Sequence, residues 1–483
     1  MKLNQLTAHQ AYIGLRKKEF SSTEITRACL DQIKKVDKKI NAFVTVTDDL
    51  ALEQAKIADE KIARGEEIKP LEGIPCAIKD NILIEGERCT CSSKILENYT
   101  ATYNAGVIKK LKEQGTVFLG KTNMDEFAMG SSCENSALKK TKNPHDLTRV
   151  PGGSSGGSAA AITADMCIYA LGSDTGGSIR QPVAFCGVVG MKPTYGRVSR
   201  YGLVAMASSL DQIGPITKDT EDIALVLRSI AGLDAKDSTC VQYSVPDYTE
   251  AIPWGIENIR VGVIKEYFEE GVDREVSDLV KKATLELEKL GAKVKEVSLP
   301  HTKYALSCYY IIMPAEVSAN LARYDGIRYG YSKAEAENLL DVYLSSRAKG
   351  LGDEVRRRIM LGTFTLSTGY YEAYYDKAQR VRTKIKREYD DIFRDFDVLI
   401  GPTTPTPAFK LGERIKDPLT MYMSDVLTVS ANISGMPAIS LPCGFVKRED
   451  KELPVGLQIM GDHFKEEMVI RVASSYELRE KAE

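Results

Sequence analysis

Between residues 151 and 180 the chain reads PGGSSGGSAAAITADMCIYALGSDTGGSIR, and this stretch constrains the fold more than any other. Two glycine-serine loops, at 152–158 and 172–178, flank an Ala-rich segment at 158–165 that reads as a helix and an apolar run at 167–171 that reads as a strand. A helix followed by a strand running back brings the loop before the helix and the loop after the strand to one edge. Ser154 and Ser178 are therefore expected to meet in space. Glycine lets the backbone approach a ligand closely and aim several N–H groups at one atom, so both loops read as cradles for an anion, transient or permanent.

Helix and strand signals alternate along the rest of the chain. Ser21-Ser22-Thr23-Glu24 is a capping box, with Ile25, Cys29, Ile33 and Val36 following at helical spacing. Residues 41–47 alternate as a strand, 48–63 return to a helix stopped at Gly65, and 71–79 (LEGIPCAIK) form a mostly apolar run that fits a buried strand. A helix over 105–114 ends at Gly115 and a strand over 116–119 follows. Short glycine-rich runs fill 187–217, and 234–254 is a polar surface excursion too short to divide domains. Val276, Val280, Ala283, Leu287 and Leu290 mark a helix. Strands return at 292–300, 398–400, 438–441 and 456–460 before a final helix. The alternation predicts an α/β layer fold around a parallel or mixed sheet.

Residues 303–394 break that pattern, being almost wholly helical, and such a block is expected to cap a sheet edge or form a lid. Within it Tyr370, Tyr371, Tyr374 and Tyr375 form a patch that reads as core or interface packing, with RNA stacking as the sharper alternative.

Charge excludes some partners. Lys plus Arg number 65 against 67 Asp plus Glu, a net charge of -2, so no bulk charge favours nucleic acid or a membrane. The N-terminus has no apolar core of signal-peptide length and no apolar run reaches membrane-spanning length, so a cytoplasmic location is expected. The ten cysteines are scattered, without CxxC or Cys/His ligand spacing; they read as buried free thiols, and no metal site is expected.

Three chemistries are open to the loops. The segment 172–178 has glycines at phosphate-loop spacing, but Ser178 stands where the lysine belongs and Asp174 would repel phosphate, which argues against a nucleotide site. Nucleophilic catalysis fits better: Thr175, Gly176, Gly177 and Ser178 offer successive N–H groups suited to a tetrahedral oxyanion. None of His9, His145, His301 and His463 lies in a comparable motif, which weakens a Ser-His-Asp triad, and His145 in NPHD reads as a turn residue. Lys79, at the end of an apolar run, is the remaining base. Lowering its pKa from about 10.4 to near 7 needs about 3 units, within reach of burial plus loop dipoles. On a strand Asp80 points to the opposite face and need not hold Lys79 charged. A salt-bridged structural lysine is the alternative.

GGSSGGSAAA, DTGGSIRQP with its Ser178 24 residues after Ser154, and GIPCAIKDN upstream together resemble the amidase signature family over nearly the whole chain. The resemblance implies one amidase signature domain over 1–483, an α/β/α sandwich around a large mixed sheet. It also implies a Ser-Ser-Lys triad: Ser178 the nucleophile, Ser154 the bridging residue after a cis peptide at 153–154, Lys79 the base, and Thr175, Gly176 and Gly177 the oxyanion cradle. LARYDGIRYG at 321–330, RRRIMLGTF at 356–364 and YMSDVLTVSANISGMPAISLP at 422–442 are similar to the glutamine-hydrolysing members of that family that serve tRNA-dependent amidation. That similarity implies glutamine as substrate, with Arg358 for its α-carboxylate, Asp425 for its α-amino group and Tyr309 nearby. Without it, Arg358 and Asp425 read as surface ion-pair members. It further implies no cofactor in this chain, and B and C subunits in a heterotrimer. The B subunit would use ATP and Mg and bind most of the misacylated tRNA. Cys76 and Cys133 depart from the family strings, and neither replaces a triad atom, so the departure bears only on local packing. A stand-alone amidase and a non-catalytic anion-binding module are the competing readings.

Overall fold

The computed structural model describes residues 2–333 and 335–480. Short apolar runs flanked by turn residues become eleven strands: β1 (Phe43–Val46), β2 (Pro75–Lys79), β3 (Val117–Thr122), β4 (Tyr169–Asp174), β5 (Val189–Lys192), β6 (Gln212–Thr217), β7 (Arg260–Ile264), β8 (Lys293–Val297), β9 (Val398–Pro402), β10 (Ala438–Arg448) and β11 (Lys451–Gly461). They form one mixed sheet in the order β1-β3-β2-β4-β6-β5-β10-β11-β9-β7-β8. β2 runs parallel to both β3 and β4, with Ile78 opposite Leu171. The carboxyl ends of β2 and β4 therefore emerge at the same edge, where open α/β sheets place their ligands.

Both faces of the sheet are covered, and strand alternation is the reason. Val398 and Ile400 of β9 pack in one apolar cluster with helices Ser22–Ile40, Thr220–Ile230 and Arg274–Lys289, while Leu399 between them packs in a second. That second cluster is filled by the helical block. Ile312, Met313 and Val317 come from the helix Ala305–Leu321, Val355 from the helix Asp353–Leu366, and Ile385 and Tyr389 from the helix Lys377–Ile392. The result is the expected α/β/α sandwich. The block at 303–394 covers a face of the sheet, beyond capping an edge.

Several local expectations shift. Of the run 71–79 only Pro75–Lys79 is strand, because Gly73 turns the chain with φ +69°. The helix after the first glycine-serine loop begins two residues early, at Gly156, and the strand that follows is Tyr169–Asp174. The tyrosine patch is not core: Tyr370, Tyr371 and Tyr374 are each more than 40% exposed, on or beside a π-helical segment Tyr371–Asp376 that turns the rings outward. All ten cysteines are free and buried. Among the described residues, no helix is long and apolar enough to cross a membrane.

Candidate active site

β2 is buried along its whole length and ends on Lys79, whose side chain reaches the sheet edge without meeting water. Its ammonium donates to Ser154 Oγ (2.8 Å), Ser155 Oγ (2.7 Å) and the Ser173 carbonyl (3.1 Å). Among the described residues no carboxylate lies within salt-bridge distance of it. Asp80, on the other side of the strand, is instead paired with Lys121 at 3.2 Å. Burial brings the Lys79 pKa down to about 8, against the opposing pull of Cys133, Asp125, Asp174 and Asp211.

The two loops meet as the helix-then-strand geometry requires. Ser155 N–H donates to the Ser178 carbonyl at 3.0 Å, and the Gly153–Ser154 peptide is cis. Ser155, the second serine of GGSSGG, escaped sequence reasoning although its neighbour did not. Its hydroxyl donates to the Ser173 carbonyl (3.0 Å) and accepts from Lys79, so it braces the lysine from below. Ser154 is fully buried, whereas Ser178 keeps 9% exposure and is the more open of the two.

The turn carrying Ser178 is wrapped around one carboxylate. Asp174 accepts the N–H groups of Gly177 (2.8 Å) and Ile179 (3.1 Å), Arg180 Nε and Nη2 (each 3.1 Å) and Asn432 Nδ2 (2.8 Å). Burial alone would raise its pKa; the Arg180 guanidinium overrides that and holds it well below the usual carboxylate range. This pairing explains an acid that was out of place in a phosphate loop. Gly177 N–H is thus engaged and shapes the turn. Among the described residues the N–H groups of Thr175, Gly176 and Ser178 have no acceptor. Thr428 Oγ1 donates to the Gly176 carbonyl at 2.7 Å, and a Cβ on Gly177 (φ +134°) would overlap that hydroxyl.

Tyr309 closes over this turn: a Cβ on Gly176 would lie 2.6 Å from its ring. Its neighbour Tyr310 links the two charged groups. The Arg358 guanidinium sits 5.4 Å from the centroids of both Tyr310 and Tyr422, and Tyr310 OH lies 3.5 Å from Asp425 Oδ2. Both charges are buried, Arg358 at 3% and Asp425 at 7% exposure, so the surface ion-pair reading fails for each. Arg358 Nε donates to Glu354 at 2.7 Å. Asp425 has no cation within 4 Å among the described residues and accepts instead from Ser131 Oγ at 2.7 Å. Burial pushes its pKa up to about 7, with Ser131 and Arg358 opposing. Ser131 and Tyr310 were not legible in the sequence, because neither lies in a motif. A cavity of about 260 Å³ opens beside this group, lined by Glu126, Glu354, Arg358 and Tyr422 among others.

One His/Asp cluster elsewhere brings ligand atoms within 4.8 Å, His9 with Asp219 and Asp222. There Asp222 already accepts the His9 N–H (2.9 Å) at the start of the helix Ala8–Arg16, so it serves as a cap.

A buried lysine bonded to two loop serines thus stands at the edge of a mixed sheet covered on both faces. A profile of the family described as Amidase matches residues 24–470, and the chain belongs to that family. The A subunit of glutamyl-tRNA(Gln) amidotransferase from Caldanaerobacter subterraneus subsp. tengcongensis is 58% identical over 477 residues, covering 99% of this chain and 97% of the relative. The crystal structure of the corresponding A subunit from Thermotoga maritima superposes with a TM-score of 0.81 at 45% identity, covering 98% of this chain and 94% of that one. A bacterial aryl acylamidase of the amidase signature family shares the fold at TM-score 0.85 and 26% identity, covering 98% and 96%.

Proposed function

We propose that this chain hydrolyses glutamine as the A subunit of a tRNA-dependent amidotransferase. The observation that carries the reading is the pairing of a lysine with lowered pKa, bonded to Ser154, with two buried charges joined through Tyr310: Asp425, which has no cation within 4 Å among the described residues, and Arg358, whose Nη2 has no hydrogen-bond partner among them. Free glutamine is a zwitterion, and those two groups match its ammonium and carboxylate.

In the reaction, neutral Lys79 accepts a proton from Ser154, which takes the proton of Ser178 as Ser178 Oγ attacks the side-chain amide carbon. The oxyanion is met by the N–H groups of Thr175, Gly176 and Ser178, with Gly177 holding the turn through Asp174. Collapse returns the proton through Ser154 to the leaving nitrogen. Ammonia departs, a glutamyl ester remains on Ser178, and water then hydrolyses it to glutamate.

The catalytic unit is the whole chain, 1–483, working in the cytoplasm with no cofactor of its own. Its partners are B and C subunits in a heterotrimer. The B subunit binds most of the misacylated tRNA, activates its glutamate with ATP and Mg, and receives the ammonia.

The test is glutamate release by this chain alone and with B and C subunits, with amidation of Glu-tRNA(Gln) followed in parallel. Glutamate release in the complex, coupled to amidation, is expected. No release under either condition overturns the reading, and turnover of simple aryl amides without glutaminase activity would replace it with a stand-alone amidase.

A further inference from the structure

Arg358 lies one and a half turns into the helix Asp353–Leu366. Its bond to Glu354 on the same helix and the flanking tyrosine rings set its rotamer, but they leave open where the helix begins. Glu126 holds that beginning. Its side chain is 1% exposed, and Oε2 accepts the Gly352 N–H at 2.8 Å. Gly352 is the N-cap of the Arg358 helix and brings no side-chain cap of its own. A carboxylate at that end is favoured by the helix dipole. A Cβ on Gly352 would overlap the same Glu126 oxygen, so the link is built for close approach.

The other oxygen extends the clasp. Glu126 Oε1 accepts the Ser93 hydroxyl, which also lies 3.2 Å from the carbonyl of Gly350, the last residue of the helix Leu339–Gly350. One carboxylate thus gathers the two-residue link, Leu351 and Gly352, between two helices. The preceding residue, Asp125, does the equivalent for the opposite charge. It accepts the N–H groups of Ser132 (3.3 Å), Cys133 (2.9 Å) and Asn135 (3.2 Å), the turn that presents Ser131 to Asp425. Adjacent acids therefore support the segments that carry the partners of the two charges, Glu126 the Arg358 helix and Asp125 the turn of Ser131, which bonds Asp425.

We propose that Glu126 is a positioning residue for glutamine recognition, fixing the N-terminal end of the Arg358 helix and with it the distance from Arg358 to the nucleophile turn. The inference rests on the glutaminase reading. It separates binding from chemistry, because Lys79, Ser154 and Ser178 stand on other elements and touch Glu126 nowhere.

Steady-state glutaminase kinetics of the assembled enzyme test it. Glu126→Ala is expected to raise KM for glutamine about tenfold or more with kcat within about threefold, and Glu126→Gln, which keeps an oxygen for the Gly352 N–H, is expected to restore KM to within about threefold. If Glu126→Ala does not fold, Gly352→Ala breaks the same contact from the other side and is read the same way. An unmoved KM, a joint fall in kcat and stability without a KM change, or identical behaviour of the Ala and Gln variants overturns the proposal. Absence of glutamate release from the unaltered enzyme defeats the glutaminase reading itself; release with an unmoved KM defeats only the role of Glu126.

Discussion

At the residue scale the deciding quantity is the proton on Lys79. With its pKa brought to about 8 by burial, about a tenth of the lysines are neutral at pH 7 and about half at pH 8. In the proposed reaction the neutral form acts as the base, so kcat/KM for glutamine is expected to rise between pH 6 and 9. Asp425, pushed up to about 7, must be ionised to hold an ammonium, and its titration acts in the same direction about one unit lower. Asp425→Asn should remove the lower part of that limb and raise KM; a flat profile over the range would reject both assignments. Lys79→Ala is expected to cost about 10²–10⁴-fold in kcat, the usual worth of a positioned base, and a fully active variant would return Lys79 to the structural reading. Arg358→Ala removes a buried charge-assisted bond worth about 1.5–3 kcal/mol, a KM increase of about 10- to 100-fold. Lysine at this position keeps the charge and loses the planar fork, so it should recover little.

At the scale of elements, the turn between β4 and the short helix Arg180–Cys186 is held by a buried ion pair. Asp174→Asn leaves the Arg180 guanidinium without its anion in the interior, a loss of about 3–5 kcal/mol, expected as a lower urea midpoint with an unchanged slope. Arg180 also donates through Nη1 to Gln458 Oε1 and through Nη2 to Asn432 Oδ1 (each 2.6 Å), and a midpoint equal to that of the unaltered protein would show that these two satisfy the guanidinium by themselves. Gly177→Ala meets both a left-handed φ and the Thr428 hydroxyl. It should lower kcat while leaving KM for glutamine nearly unchanged, because Arg358 and Asp425 ride on other elements; the split is read from initial rates. Element identity was largely legible. The helix Asp48–Ala63 matched the expected 48–63, since its apolar spacing and stop are local features. The end of β4 and the outward turn of the tyrosine patch were missed. A strand is extended by the partners it finds, and a π-helical turn rotates residues off the spacing that periodicity assumes.

At the scale of the whole molecule, two apolar layers on one eleven-stranded sheet hold seven of the ten thiols, and Cys89, Cys133 and Cys240 are buried outside them. Titration with a thiol reagent is therefore expected to find almost no reactive cysteine in the native protein and ten after denaturation; rapid native labelling would show that a layer opens readily. Local spacing and the direction of the chain were enough to set the α/β class, the two glycine-serine loops and their meeting at one edge. What surrounds those loops came from long-range folding. Ser131 reaches Asp425 across 294 residues, Glu126 reaches Gly352 across 226, and Lys79 reaches Ser155 across 76. A charged side chain in a helical pattern reads as solvent-facing, and nothing in its own spacing names the distant segment that will bury it. That burial shifts the protons of Lys79 and Asp425 toward neutral pH, so the chemistry of the glycine-serine loops depends on contacts that only folding supplies.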